Sequence, residues 1–200
     1  PSVTTILKVA AKPGLEAWKM EQMLLASLTL PRKPDEPEKE FIARVVADSK
    51  ETGKQAAEKG TRIHESIERW FGNDRNVEHP KIAQEVELAI ANHFKTHTLT
   101  DWLVERSFSY NGQFGGKVDI HCPTRKEAPT GIVLDVKTKE FGPDDKIEAY
   151  DEHRMQLAAY REGLGIPAAR CANVFVSRNN PGLIKIIEWA EEDLQQAWKM

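Results

Sequence analysis

Two hundred residues suit one ordinary domain, and a chain of that length can bury a single core without disulfides or structural metals. With 40% hydrophobic and 30% charged residues and five tryptophans, the composition excludes the disordered, collagen-like and membrane classes. The formal net charge is −3, so bulk electrostatics do not advertise a polyanion partner and any nucleic-acid contact has to be local.

No apolar run approaches the roughly 20 residues needed to span a bilayer, and no charged-then-apolar leader opens the chain, so no membrane partner is expected. The chain opens on Pro1 rather than Met, which leaves a trimmed upstream segment open. Two cysteines, Cys122 and Cys171, are too few for a disulfide framework and point to a reducing compartment.

In chain order, Ser2 to Thr5 followed by Ile6 and Leu7 reads as a capped turn, and Pro13-Gly14 breaks it before a helix over about residues 15–30. Pro31 to Pro37 is a linker. From Glu38 to Phe71 the spacing of Phe41, Val45, Val46, Ala56, Ile63, Ile67 and Trp70 is helical, with breaks expected near Thr52-Gly53 and Gly60. Gly72 to Pro80 ends that run, and Pro80 opens a helix with Ile82, Val86, Ala89, Ile90 and Phe94 on one face.

The character of the chain then changes. Leu103 to Tyr110, Gly116 to His121 and Ile132 to Lys137 are short β-branched or aromatic runs between turn residues, and read as strands. A helix over about residues 145–164, strands near 173–177 and 183–189, and a helix from Glu191 complete the order. The prediction is a single domain of α/β (α+β) class over residues 1–200. A mostly helical part covers residues 1–98, and an α/β core over 99–200 carries a mixed sheet of about five strands flanked by helices.

In Gly131-Ile-Val-Leu-Asp-Val-Lys137 the strand period of two puts Val133, Asp135 and Lys137 on one face and Ile132, Leu134 and Val136 on a core face. A carboxylate and an ammonium at the end of an apolar strand are costly unless used, although an exposed strand-end ion pair is the plain alternative. The preceding strand, Gly115-Gly-Lys-Val-Asp-Ile120, also sets one acid, Asp119, among apolar residues. Neighbouring strands would bring the two carboxylates together. Such a pair repels unless a hard cation with oxygen ligands, Mg²⁺ or Mn²⁺, holds it.

Gly60-Thr-Arg-Ile-His64, Gly116-Lys-Val-Asp119, Asp135-Val-Lys-Thr138 and Gln156-Leu-Ala-Ala-Tyr160 resemble, in that order, the motifs of RecB-like nucleases and their CRISPR-associated kin in the PD-(D/E)XK superfamily. The resemblance spans His64 to Tyr160. The opening Pro-Ser-Val-Thr-Thr-Ile-Leu is similar to the start of phage-encoded exonucleases of this superfamily. A more distant resemblance is to the mitochondrial genome maintenance exonuclease.

The resemblance implies a restriction-endonuclease-like core and a metal-dependent DNA exonuclease acting on DNA ends; the motifs do not encode polarity, of which 5′→3′ is the one favoured. It further implies phage recombination or DNA processing in the cytoplasm of a bacterial or phage-infected cell, with a single-strand annealing or recombination protein as partner. It implies one or two Mg²⁺ or Mn²⁺ ions held by His64, Asp119, Asp135 and the Val136 backbone carbonyl, and Lys137 positioning or deprotonating the attacking water. Gln156 and Tyr160, four apart on one helix face, would order Lys137 and the substrate phosphate. The helical N-terminal third would arch over a threaded strand. The four cysteines that bind an iron–sulfur cluster in many relatives are lacking, so no cluster is expected.

Plainer readings stand beside these roles. His64 could be a helix-boundary histidine, Gln156 a surface residue and Tyr160 a core one. Glu105 is either a carboxylate supporting the metal site or a solvated strand end. Arg62, Thr138, Lys139 and Arg154 are candidate DNA contacts, with Lys54, Lys8, Lys12, Lys19, Arg32 and Lys33 as a wider pool of phosphate contacts or solvated charges. Trp18, Trp70 and Trp102 are either base-stacking or core residues. Two other functions are kept: a structure-specific endonuclease, and a catalytically silent DNA-binding module.

Overall fold

Ser2 takes extended backbone and its Oγ accepts the Thr5 N–H at 3.1 Å, which caps the short helix α1 (Val3–Leu7). In this computed structural model, which describes residues 1–9, 13–97 and 101–200, α2 (Pro13–Thr29), α3 (Glu38–Phe71) and α4 (Pro80–Phe94) follow. The change of character expected near residue 98 falls outside the described residues. Among the described residues, no helix is long and apolar enough to cross a membrane.

The chain divides into two compact units, residues 10–61 and residues 1–9 with 62–200. In the first, Arg44 ties the linker to α3: its guanidinium donates to both carboxylate oxygens of Glu36 at 2.7 and 2.9 Å and to the Pro31 carbonyl at 2.9 Å. That contact holds the Glu36 carboxyl down at about 2. The breaks expected near Gly53 and Gly60 do not occur, because α3 runs unbroken for 34 residues. A helical glycine costs only about 1 kcal/mol against alanine, too little to interrupt a long run of good helix formers. At Gly53 an added Cβ would lie 3.7 Å from the Trp18 ring, so that indole packs on the helix.

The second unit is built on a sheet with strand order β1 (Leu103–Tyr110), β2 (Phe114–Cys122), β3 (Ile132–Lys139), β4 (Arg170–Ser177) and β5 (Ile184–Glu188). Neighbours are antiparallel except β3 and β4, whose parallel pairing requires a crossover, supplied by α5 (Asp151–Gly163). The helix α6 (Glu191–Trp198) ends the chain. Among the described residues, the mixed five-stranded sheet with six helices is the α+β class expected from the sequence.

Helix α5 starts at Asp151 rather than near Asp145. The Gly142 N–H donates to the Asp145 side chain at 2.7 Å, and Lys185 donates to the Pro143 and Asp145 carbonyls at 3.0 and 2.6 Å, which holds that stretch in a turn. The helix then begins where the Tyr150 N–H donates to His153 Nδ1 and two acidic residues open the first turn.

Apolar side chains fill both faces of the sheet. One core joins Ile120, Ile132, Leu134, Val136 and Val174 to Ile63 and Ile67 of α3 and Val86 and Ile90 of α4. The other joins Val118, Val133 and Cys171 to Val3 of α1, Leu157 and Tyr160 of α5 and Leu194 of α6. Val118 and Ile120 are two apart, yet they enter opposite cores, so β2 turns over at Asp119. Strand β1 turns over with it: Val104 packs on the first core and Phe108 on the second. Between them lies Glu105, opposite Asp119 in the register and in the left-handed region at φ 52°. For a residue with a Cβ that conformation costs about 1–3 kcal/mol.

Candidate active site

The site lies where two strands part. Strands β2 and β3 pair through Cys122↔Ile132, His121↔Val133 and Ile120↔Leu134. The next pair would be Asp119 with Asp135, but there the Val136 N–H donates to the Asp119 carboxylate at 2.9 Å, so a side chain takes over from the ladder. The freed edge of β2 is closed further along by the chain start, whose Pro1 carbonyl accepts the Gly115 N–H at 3.0 Å. Strand β3 itself stays paired to β4 as far as Lys139↔Ser177, so its polar end projects from a rigid strand.

Helix α3 brings two ligand-type side chains to the fork. His64 and Glu68, four apart, share a helix face. His64 Nε2 lies 3.0 Å from Asp119 Oδ2, and its Nδ1 lies 3.3 Å from Glu68 Oε1. Burial pulls the imidazole down, but hydrogen bonds to Asp119 and Glu68 outweigh it and raise His64 to about 10. The same two carboxylates that favour a proton here would favour a cation, whose binding expels that proton. The donor atoms of His64, Glu68 and Asp119 lie within 4.8 Å of one another, and one imidazole with two carboxylates suits Mg²⁺ or Mn²⁺.

Asp135 stands beside this trio rather than in it. It is 1% exposed, with Oδ1 accepting from Lys137 Nζ at 2.7 Å and Oδ2 accepting from Asn173 Nδ2 at 2.7 Å. Burial pushes its carboxyl up, the Lys137 ammonium opposes the rise, and Asp119 adds to it. Burial would pull Lys137 down, but Asp135 turns the shift upward, so the lysine keeps its proton. Lys137 also donates to Gln156 Oε1 at 3.3 Å, and Gln156 Nε2 donates to the Tyr160 hydroxyl at 2.7 Å. The helix face shared by Gln156 and Tyr160 thus meets the strand end that carries Lys137. Burial pushes the Tyr160 hydroxyl up, so it stays protonated.

Tyr160 is set by close packing. Phe108 lies edge-on to it with ring centroids 5.9 Å apart. A Cβ on Gly116 would meet the Phe108 ring at 2.8 Å and Tyr160 at 3.0 Å, and one on Gly163 would meet Phe108 at 2.0 Å. Both glycines are needed for the rings to approach.

The other sequence candidates lie elsewhere. Glu105 is exposed and paired with Lys117 instead of joining the ligand cluster. Arg62 is exposed with Glu78 at 3.7 Å, and Thr138 and Lys139 are half-buried at the end of β3. Arg154 faces Asp151 at 3.0 Å and Asp193 at 3.7 Å, so intramolecular carboxylates occupy it. Lys19 pairs with Glu16 and Lys54 faces Glu58, while Lys12 lies outside the described residues. Trp102 is a core residue edge-on to Phe71, and Trp70 donates to Glu87 at 2.7 Å.

Three site residues escaped the sequence reading. Glu68 was findable as an acid one helical turn after His64. Asn173 was findable as a lone amide in the apolar run Cys171-Ala-Asn-Val-Phe-Val176. Trp189, which donates to Asn173 Oδ1 at 2.8 Å, left no local signal.

No protein-family model matches the chain, and no curated protein does. A solved structure described as that of SSO0001 shares 14% identity over 92% of this chain and 84% of its own, with a TM-score of 0.32. That likeness is too low to bear on fold or chemistry.

Proposed function

We propose that the protein is a divalent-cation-dependent deoxyribonuclease of the PD-(D/E)XK type that removes nucleotides from DNA ends. The observation that supports this reading is the convergence of His64, Glu68, Asp119, Asp135, Lys137 and Gln156, from α3, β2, β3 and α5, on one strand fork.

His64, Glu68 and Asp119 would hold the cation, with Asp119 oriented by the Val136 N–H. A bound Mg²⁺ or Mn²⁺ polarises the phosphate and lowers the pKa of an attacking water. Lys137, kept cationic by Asp135, donates to the phosphate oxygens where negative charge develops and so acts as a charge-stabilising donor rather than a free base. Gln156, itself donating to Tyr160, accepts from Lys137 and limits its sweep. The preorganised ammonium thus needs little rearrangement when the substrate arrives.

The test compares end-labelled linear DNA with a covalently closed circle in Mg²⁺ and in Mn²⁺. The expected result is shortening of the linear DNA from its 5′ end, an intact circle, and no reaction in EDTA. No cation-dependent hydrolysis by the wild-type protein would sink the nuclease reading; cutting of the circle would replace exonuclease by endonuclease.

A further inference from the structure

The proposed hydrolytic centre depends on the direction in which Asp135 aims its carboxylate, and that direction is set from the neighbouring strand. Asn173 sits in β4 directly opposite Asp135 in the parallel register and is 0% exposed among Ala172, Val174 and Phe175. A buried amide in an apolar strand is destabilising unless its donors and acceptor are used. Here Nδ2 donates to Asp135 Oδ2 at 2.7 Å, and Oδ1 accepts from Trp189 Nε1 at 2.8 Å.

The indole N–H can only donate, so it must face the amide oxygen, and the amide nitrogen is left facing the carboxylate. The orientation of the amide therefore follows from chemistry. Trp189 is itself held by its backbone N–H, which donates to the Cys171 carbonyl at 3.0 Å. With Oδ2 engaged by Asn173, Asp135 turns Oδ1 to Lys137 at 2.7 Å.

We infer that Asn173, locked in orientation by Trp189, is a positioning residue that aims the Lys137 ammonium through Asp135. This inference rests on the nuclease reading for its kinetic consequence but not for its structural one. An apolar residue of similar size could fill the space in β4; it could not relay orientation from the indole to the carboxylate.

The test uses the full chain with Asn173→Ala, Asn173→Asp and Trp189→Phe, each checked for folding by circular dichroism and thermal melting. The aspartate keeps an acceptor for Trp189 and replaces the fixed amide donor to Asp135 with a carboxyl that must share a proton with it. With labelled DNA, Asn173→Ala and Asn173→Asp should lower kcat by about 10- to 100-fold at little change in KM, the range seen when a residue supporting a site is removed. Trp189→Phe should give a smaller loss, and the Asn173→Ala, Trp189→Phe double variant should be no worse than Asn173→Ala, since both act through one chain of bonds.

A second measurement needs no substrate. The Lys137 ammonium resonance in ¹H–¹⁵N spectra, sheltered by its bonds to Asp135 and Gln156, should broaden or shift in the variants. A folded Asn173→Ala protein with wild-type kcat and an unchanged ammonium resonance overturns the inference; should that variant fail to fold, the same result for Trp189→Phe overturns it. If the wild-type protein shows no cation-dependent hydrolysis, that failure belongs to the nuclease reading, and the ammonium resonance alone decides the positioning role.

Discussion

The two ends of β2 and β3 are made from the same strands and behave differently. At one end, Ile120 to Cys122 ladder with Ile132 to Leu134, and every side chain there is buried. At the other, the ladder stops, and Asp119, Val136, Asp135, Lys137 and Asn173 exchange bonds in which side chains stand in for backbone partners. The paired end draws its stability from burial and regular hydrogen bonding. The parted end gathers groups that repel or lose hydration, an arrangement tolerated because the surrounding strands over-determine it. Regular pairing thus gives way to a cluster of polar side chains at the fork, where the proposed chemistry would take place.

The comparison breaks if the two ends respond alike to mutation. The largest expected effect is on hydrolysis: Asp119→Ala, Asp135→Ala or Lys137→Ala should each lower the rate on end-labelled DNA by roughly 10²–10³-fold or more. Retained activity in any of them removes the chemistry from the fork. Next, Leu134→Ala at the paired end should cost about 2–5 kcal/mol in urea unfolding while leaving the fork residues in place. By contrast, the double change Asp135→Asn with Lys137→Met should leave the unfolding midpoint unchanged or raised, because it removes a mostly buried ion pair. A marked loss of stability there would show the parted end to be structural.

Smaller is the effect of Gly163→Ala, which drives a Cβ into the Phe108 ring and should cost about 1–3 kcal/mol in the same assay. Confined to alkaline pH is an effect at Cys171, whose thiol burial pushes up from 9.0 to about 12. The folded state then holds that proton more tightly than the unfolded chain. Its contribution is complete below pH 9.0 and is lost as pH rises toward about 12, so the midpoint should fall across that window. Cys171→Ala should flatten that part of the profile, and a slope unchanged in this variant would exclude the thiol as its source.

Much of this was legible in the chain. The alternation in Ile132 to Lys137 marked one core face and one polar end, and the four-residue spacing of Gln156 and Tyr160 put them on one helix face that does meet Lys137. What misled was local punctuation: Gly53 and Gly60 suggested breaks that the cooperativity of a long helix overrides. The start of α5 was misplaced because the bonds that hold Asp145 in a turn come from Lys185, forty positions away.

By itself, the sequence determined the order and kind of the elements and the acids, the lysine and the histidine able to do chemistry, because periodicity and side-chain type are local properties. Only the tertiary structure decided that β2 and β3 part after Ile120↔Leu134, that Glu68 rather than Glu105 joins His64 and Asp119, and that Asp135 answers to Asn173 and Trp189. Those outcomes depend on where lone pairs and N–H groups point once strands are in register and helices packed, and no spacing along the chain encodes direction in space.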